Sequence, residues 1–321
     1  MRPFAIAGVQ MYLSAVESNV VRMQHRVGLL LELFPWVQMV VFSELAPRGP
    51  LLKFAEALPG PTEAAFQETA ERHRIWLVPG SMYEKHGGQI YNTASVIDPS
   101  GDVVGRYRKM FPFTPYEEGV TPGDEFLVFD VPDVGRFGVS ICYDTWFPET
   151  VRTMTTMGAE VILHPSLTPT IDRDVELSLV RALAATNQCF FFDINGLGDG
   201  GNGRSIVAGP AGDVLVQAGT SPQLIPLEID LDRVSRGRER GLLGLGQPLK
   251  AFRDRKVEFP VYAPGARSEY LDTLGPLAKP ARSDASKPPA TRDTFRAAGI
   301  DDEERTMRAS PNVHISDETE D

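Results

Sequence analysis

Five short and almost unbroken apolar runs constrain this chain more than any other feature. They occupy residues 37–42, 75–81, 137–141, 160–164 and 189–194. Each is expected to be a strand, and the nearly continuous run 37–42 a strand covered on both faces. Helical periodicity fills the gaps between them. Val20, Met23, Val27, Leu30 and Leu31, with Ser14 as N-cap, predict a helix over residues 15–34. Pro61 and Thr62 open a second helix through about residue 74. Residues 147–157 predict a third, with Pro148 near its first position and Gly158 at its stop, and residues 172–187 an amphipathic fourth. Alternation of this kind defines an α/β fold.

Two hairpins interrupt the alternation. Residues 90–97 and 103–106 turn through Asp98-Pro99-Ser100-Gly101, and residues 205–208 and 214–217 turn through Pro210-Ala211-Gly212-Asp213. A further strand is expected over residues 4–10 and another over 224–231. The pattern falls into two similar halves, which suits two mixed sheets, each covered by helices. From Lys279 the apolar periodicity stops and Pro, Ser, Asp, Glu, Arg and Lys dominate. The expected organisation is therefore one folded α/β domain over residues 1–278 and a disordered mixed-charge tail over 279–321.

Charge and cysteine usage narrow the function classes. A net charge of -11 over 321 residues argues against nucleic acid or an anionic membrane as partner. The N-terminal residues enter a strand without a signal-peptide core, and the apolar stretch over 27–42 is broken by Glu32, Pro35 and Gln38, so no membrane span is expected. Two cysteines without a CxxC pair fit a reducing, cytoplasmic setting.

Three residues at strand ends or loop starts carry chemistry. Glu44 closes the run 37–42, where ligand sites of open α/β sheets lie, although a solvated loop acid fits as well. Lys109 begins a proline- and aromatic-rich loop through Gly119, and alone reads as a surface lysine. Cys142 ends the run 137–141 just before a helix start, as a nucleophile or as a small apolar filler. Together they supply a general base, a fixed positive charge and a nucleophile, the set that attack on an amide carbonyl needs. Other readings are weaker. The glycines of residues 196–203 follow a strand but precede another strand, so the helix N-terminus that phosphate binding uses is missing. His164 precedes Pro165 at a strand end and reads as a pocket-lining or structural histidine. No His pair has metal-ligand spacing, and Cys189 lies among phenylalanines as core.

Over residues 3–253 the sequence resembles the nitrilase, or carbon–nitrogen hydrolase, superfamily. The resemblance rests on Val40-Val41-Phe42-Ser43-Glu44, on Tyr107-Arg108-Lys109 with Pro112, Pro115 and Glu117, and on Ser140-Ile141-Cys142-Tyr143-Asp144 followed by Phe147-Pro148-Glu149. Tyr91-Asn92-Thr93-Ala94, Arg181-Ala182 and Gly203-Arg204-Ser205 support it. It implies a four-layer α-β-β-α sandwich and a Glu44-Lys109-Cys142 triad working through a thioester, with no metal and no cofactor. It also implies oxyanion donation by Lys109 and the Tyr143 N–H, and a second glutamate, Glu117, orienting substrate and Glu44. Ser43 departs from the proline usual before the catalytic glutamate.

Tyr143 and Asp144 after the cysteine are similar to the amidase and carbamoylase branches, whereas nitrile-hydrolysing members carry Trp and Glu there. Trp146 is similar to the carbamoylputrescine type and also suits an apolar pocket wall, and no arginine follows the cysteine to clamp an acid. The expected substrate is a small amide or carbamoyl compound, with Tyr143, Trp146, Asp144 and His164 on the substrate side. A nitrilase and a catalytically silent scaffold are the alternatives. A homodimer or larger homo-oligomer is implied, with residues 242–252 contributing.

Overall fold

The computed structural model describes residues 1–263 and 265–279. Residues Met1–Pro276 form one compact unit. Apart from its first residue, the tail expected from Lys279 lies outside the described residues.

Two large mixed sheets organise that unit. In the first, the strands run in the order Gln223–Asp230, Pro3–Gln10, Met39–Phe42, Trp76–Val78, Gln89–Ile97 and Met82–His86, with Val103–Arg108 also pairing on Gln89–Ile97. In the second, the order is Val214–Gln217, Ile206–Ala208, Phe190–Asn195, Val161–Ser166, Gly135–Val139 and Leu127–Val131. Parallel pairs occupy the centre of each sheet and antiparallel pairs the edges, as between Met39–Phe42 and Trp76–Val78 against Gln223–Asp230 and Pro3–Gln10.

Period-two alternation explains why the central runs are apolar on both faces. Met39 and Val41 join Phe137, Val139, Phe190 and Phe192 in the core between the sheets. Val40 and Phe42 face outward and pack on Met23, Val27, Leu30 and Phe66 of the helices Val20–Leu33 and Pro61–His73. On the far side, Ile162 and Phe191 meet Val151, Met154, Val180 and Leu183 of Pro148–Thr156 and Arg173–Asn187. The result is the four-layer α-β-β-α sandwich. Each fully buried Val, Leu or Phe contributes roughly 1.5–3 kcal/mol.

The first helix begins at Val20, not at residue 15. Ser14 does accept the amides of Val16 and Glu17, but it also bonds Asn19 through both backbone groups. That closed turn uses up the capping hydroxyl before the helix starts. Both hairpins form as expected. In the first, the Asp98 carboxylate accepts from the Ser100 and Asp102 amides, and Gly101 takes φ +84°.

Candidate active site

Glu44, Lys109 and Cys142 arrive from both sheets. Glu44 lies two residues past Met39–Phe42, Lys109 one past Val103–Arg108, and Cys142 three past Gly135–Val139. The Glu44 N–H donates to Ser166 O of the second sheet at 3.1 Å, and the Leu45 N–H to Ser81 Oγ at 3.0 Å. The site is thus built where the two sheets are stitched together. Ser43 is buried, and the bonds made by the two residues after it fix the backbone at the strand end.

Lys109 is fully buried between two carboxylates. Its Nζ donates to Glu44 Oε1 at 2.8 Å and to Glu117 Oε2 at 2.6 Å. Asn92 Nδ2 bridges the same pair, at 2.8 Å from Glu44 Oε1 and 3.1 Å from Glu117 Oε1. The Phe113 N–H donates to Glu117 Oε2 at 2.6 Å. Glu118 is exposed, so Glu117 is the glutamate that the loop delivers to the lysine.

Two carboxylates share one ammonium, and their environments separate them. Burial alone would raise both. For Glu117 the charge and hydrogen bond of Lys109 outweigh burial, and its pKa falls below the usual carboxylate range. For Glu44 burial wins and the Glu117 charge adds to it against Lys109, so its pKa rises to about 7. Burial pulls Lys109 down, but Glu44, Cys142 and Glu117 together hold its ammonium well above the ordinary lysine range. Glu117 therefore keeps the lysine charged, while Glu44 is poised to exchange a proton near neutrality.

Cys142 adopts φ +47° at the head of the short 3-10 turn Cys142–Trp146. A left-handed conformation costs a residue with a Cβ about 1–2 kcal/mol. Asp144 supplies the restraint that holds it. Its Oδ2 accepts from the Ile141 N–H at 2.8 Å and the Tyr107 hydroxyl at 2.7 Å, and its Oδ1 from the Phe111 N–H at 3.0 Å. The Cys142 thiol donates to Leu167 O at 3.7 Å. Burial, then the Glu44 charge, push the thiol well above its normal range, so it needs a base to become a nucleophile.

The thiol opens on a cavity of about 530 Å³. Tyr143 and Trp146 line it, together with Tyr83, Phe113 and Tyr116. Asp144 and His164 are not among its lining residues, which corrects the substrate-side placement given to both. Asp144 is buried and occupied with the nucleophile turn, its pKa raised by burial to about 6. His164 Nδ1 sits 2.7 Å from Ser140 Oγ and its ring 5.3 Å from that of Phe191, and burial lowers its pKa to about 4. It is a neutral core histidine. Cys189 is fully buried, its thiol pushed by burial to about 12.

Sequence reasoning assigned no role to Asn92, Tyr83, Thr168 or Glu176. Asn92 stood in a motif that supported the family resemblance, which was its only signal. Thr168 and Glu176 line the cavity from a loop and a helix with no local chemical pattern.

A buried thiol, carboxylate and ammonium gathered at the ends of two facing sheets define a cysteine hydrolase of the nitrilase superfamily type. The chain belongs to the carbon–nitrogen hydrolase family, whose model matches residues 5–239. It is 30% identical over 203 residues to human omega-amidase NIT2, covering 59% of this chain and 73% of the relative. It is 33% identical over 179 residues to 2-oxoglutaramate amidase of Bacillus subtilis strain 168, covering 54% of this chain and 69% of that protein. Among solved structures, a cysteine-to-alanine mutant of the Nesterenkonia AN1 amidase superposes with TM-score 0.66 at 25% identity, over 74% of this chain and 94% of that one. Saccharomyces cerevisiae Nit3, at 24% identity and TM-score 0.69, shares the fold over 74% of this chain and 94% of its own.

Proposed function

We propose that this protein is a cysteine-dependent amidase that hydrolyses a non-peptide C–N bond of a small amide to acid and ammonia. The observation that carries the reading is the convergence of Cys142, Glu44 and Lys109 on one wall of the cavity, with Lys109 Nζ 2.8 Å from Glu44. The amidase relatives agree with it. Cys142 Sγ bonds to the amide carbon as Glu44 takes the thiol proton. The carbonyl oxygen becomes an oxyanion beside the Lys109 ammonium and the Tyr143 N–H, an early amide of a helical turn and so without an intrahelical partner. Glu44 passes the proton to the amide nitrogen, the C–N bond breaks, and ammonia leaves a thioester on Cys142. Water then adds to the thioester carbon while Glu44 takes its proton. The C–S bond breaks, the acid departs, and the thiol regains its proton.

Glu44 must accept and return protons twice per turnover, and a pKa near 7 suits both directions. Glu117 and Asn92 hold it and Lys109 in place. The test is the intact mass of enzyme quenched during turnover of a slow amide. An acyl adduct on the Cys142 peptide is expected, and steady turnover with no adduct trapped in the wild type or with a slowed hydrolytic step would contradict the thioester.

A cytoplasmic enzyme and a homo-oligomer belong to the same reading. No helix among the described residues is long and apolar enough to cross a membrane. Leu243 and Leu245 are more than four-fifths exposed within the segment expected to meet another copy. Sedimentation returning the monomer mass at micromolar concentration would refute the oligomer.

A further inference from the structure

Resting on the amidase reading, we propose that the cavity selects short amides with a cationic far end, and that Glu176, with Asp172, is its specificity determinant. Four carboxylates line the cavity, those of Glu44, Glu117, Asp172 and Glu176, against one cation among the described residues, Lys109. Lys109 is already held by Glu44 and Glu117. No described positive charge is left on the wall to receive a substrate carboxylate.

Arg173 follows Asp172 in the chain, but it is engaged from behind. Its Nη1 contacts Asp193 Oδ2 at 2.8 Å and Glu176 Oε2 at 3.1 Å, and its Nη2 donates to Arg204 O at 2.9 Å. Asp193 in turn accepts from Ser166 Oγ at 2.6 Å. One guanidinium does not neutralise two buried carboxylates, and Glu176 is the member that reaches the cavity. Burial and the Asp193 charge raise its pKa, and a cationic ligand beside it favours its ionised form. A carboxylate there meets the substrate in a water-poor site, where Coulomb interactions are strongest.

Cys142 Sγ lies 4.0 Å from Thr168 Oγ1, and Thr168 and Glu176 line the same cavity as the nucleophile. The Glu176 charge is felt at the thiol, which it helps to hold above its normal range after burial and the Glu44 charge. A short chain of methylenes is therefore enough to join a reacting amide carbon to an ammonium at Glu176. The remaining walls suit the same group, since Tyr143, Trp146, Phe113 and Tyr116 line the cavity and aromatic faces attract cations. The far end of the ligand is thus recognised by one buried carboxylate inside an aromatic enclosure.

The experiment compares kcat/KM of the full chain on three amides that share a four-carbon skeleton: 4-aminobutanamide, butanamide and succinamate. The expected order is cationic, then neutral, then anionic, with about tenfold between neighbours. Glu176→Gln should lower the ratio of 4-aminobutanamide to butanamide about tenfold, and Asp172→Asn should lower it by less. Succinamate matching or exceeding butanamide in the wild type, or a ratio unchanged in both variants, would overturn the proposal. The wild-type order and the Asp172→Asn ratio stand even where Glu176→Gln fails to fold. Calorimetric titration of Cys142→Ala with the same three compounds reads the preference without turnover. Tighter 4-aminobutanamide supports the proposal and tighter succinamate refutes it, whereas failure of all three as substrates refutes the amidase reading itself.

Discussion

Replacing Glu117 by glutamine removes a charge that adds to burial in holding Glu44 above its ordinary range, and the size of that contribution follows from the lysine they share. Nζ of Lys109 lies 2.8 Å from one carboxylate and 2.6 Å from the other. The two oxygens therefore stand no more than about 5.4 Å apart, where like charges at an effective dielectric of about 20 repel by about 3 kcal/mol. That corresponds to roughly two pH units, or between one and two once each charge is spread over its carboxylate. Wild-type Glu44 titrates near 7. The base works only when ionised, so kcat/KM on a neutral amide such as butanamide should fall about tenfold per pH unit below that value. In Glu117→Gln the acid limb should move down to between about 5 and 6. The plateau should drop as well, because Lys109 loses an ionic partner, but the position of the limb is the readout. A limb that stays near 7, or moves upward, would refute the coupling of the two glutamates through Lys109.

Other perturbations separate the nucleophile from its supports. Cys142→Ala should cut kcat by about 10⁴-fold or more, while Cys189→Ala, far from the cavity, should leave steady-state rates within about twofold. Lys109→Ala should lower kcat by about 10²–10³ and change KM far less, since its charge acts on the oxyanion, and a pure KM effect would count against that role. Asp144→Asn places an NH₂ group against backbone donors at the Cys142 turn. It should cost about 2–4 kcal/mol in urea denaturation and lower kcat with little change in KM. Arg173→Met leaves Glu176 and Asp193 without their shared cation and should destabilise by about 3–5 kcal/mol.

The parts of this architecture legible in the sequence are those where one short segment carries the whole signal. The run 37–42 reads as a doubly covered strand because Met39, Val40, Val41 and Phe42 alternate between two cores that are both apolar. Met82–His86 escaped because its second half, Lys85 and His86, is exposed at the sheet edge and carries no apolar pattern. Leu127–Val131 escaped similarly, with Asp130 exposed between buried Phe129 and Val131. Glu44, Lys109 and Cys142 were legible as strand-end residues, and the geometry brings them together. Asn92 was not, because its meaning depends on Glu44, 48 residues away, and on Glu117. Asp144 was misplaced for the opposite reason. Its neighbourhood to Cys142 in sequence suggested contact with substrate, whereas its side chain turns inward to Tyr107 and the backbone. His164 likewise points to Ser140 from a fully buried strand, which no local pattern distinguishes from a pocket-lining position.

The central claim is that Cys142 performs the hydrolysis with Glu44 and Lys109 beside it. Ammonia release from short amides, N-carbamoyl compounds and nitriles, measured for the wild type and for Cys142→Ala, tests that claim directly. Release from amides that vanishes in Cys142→Ala is the predicted result. Amide turnover undiminished in that variant would contradict the account.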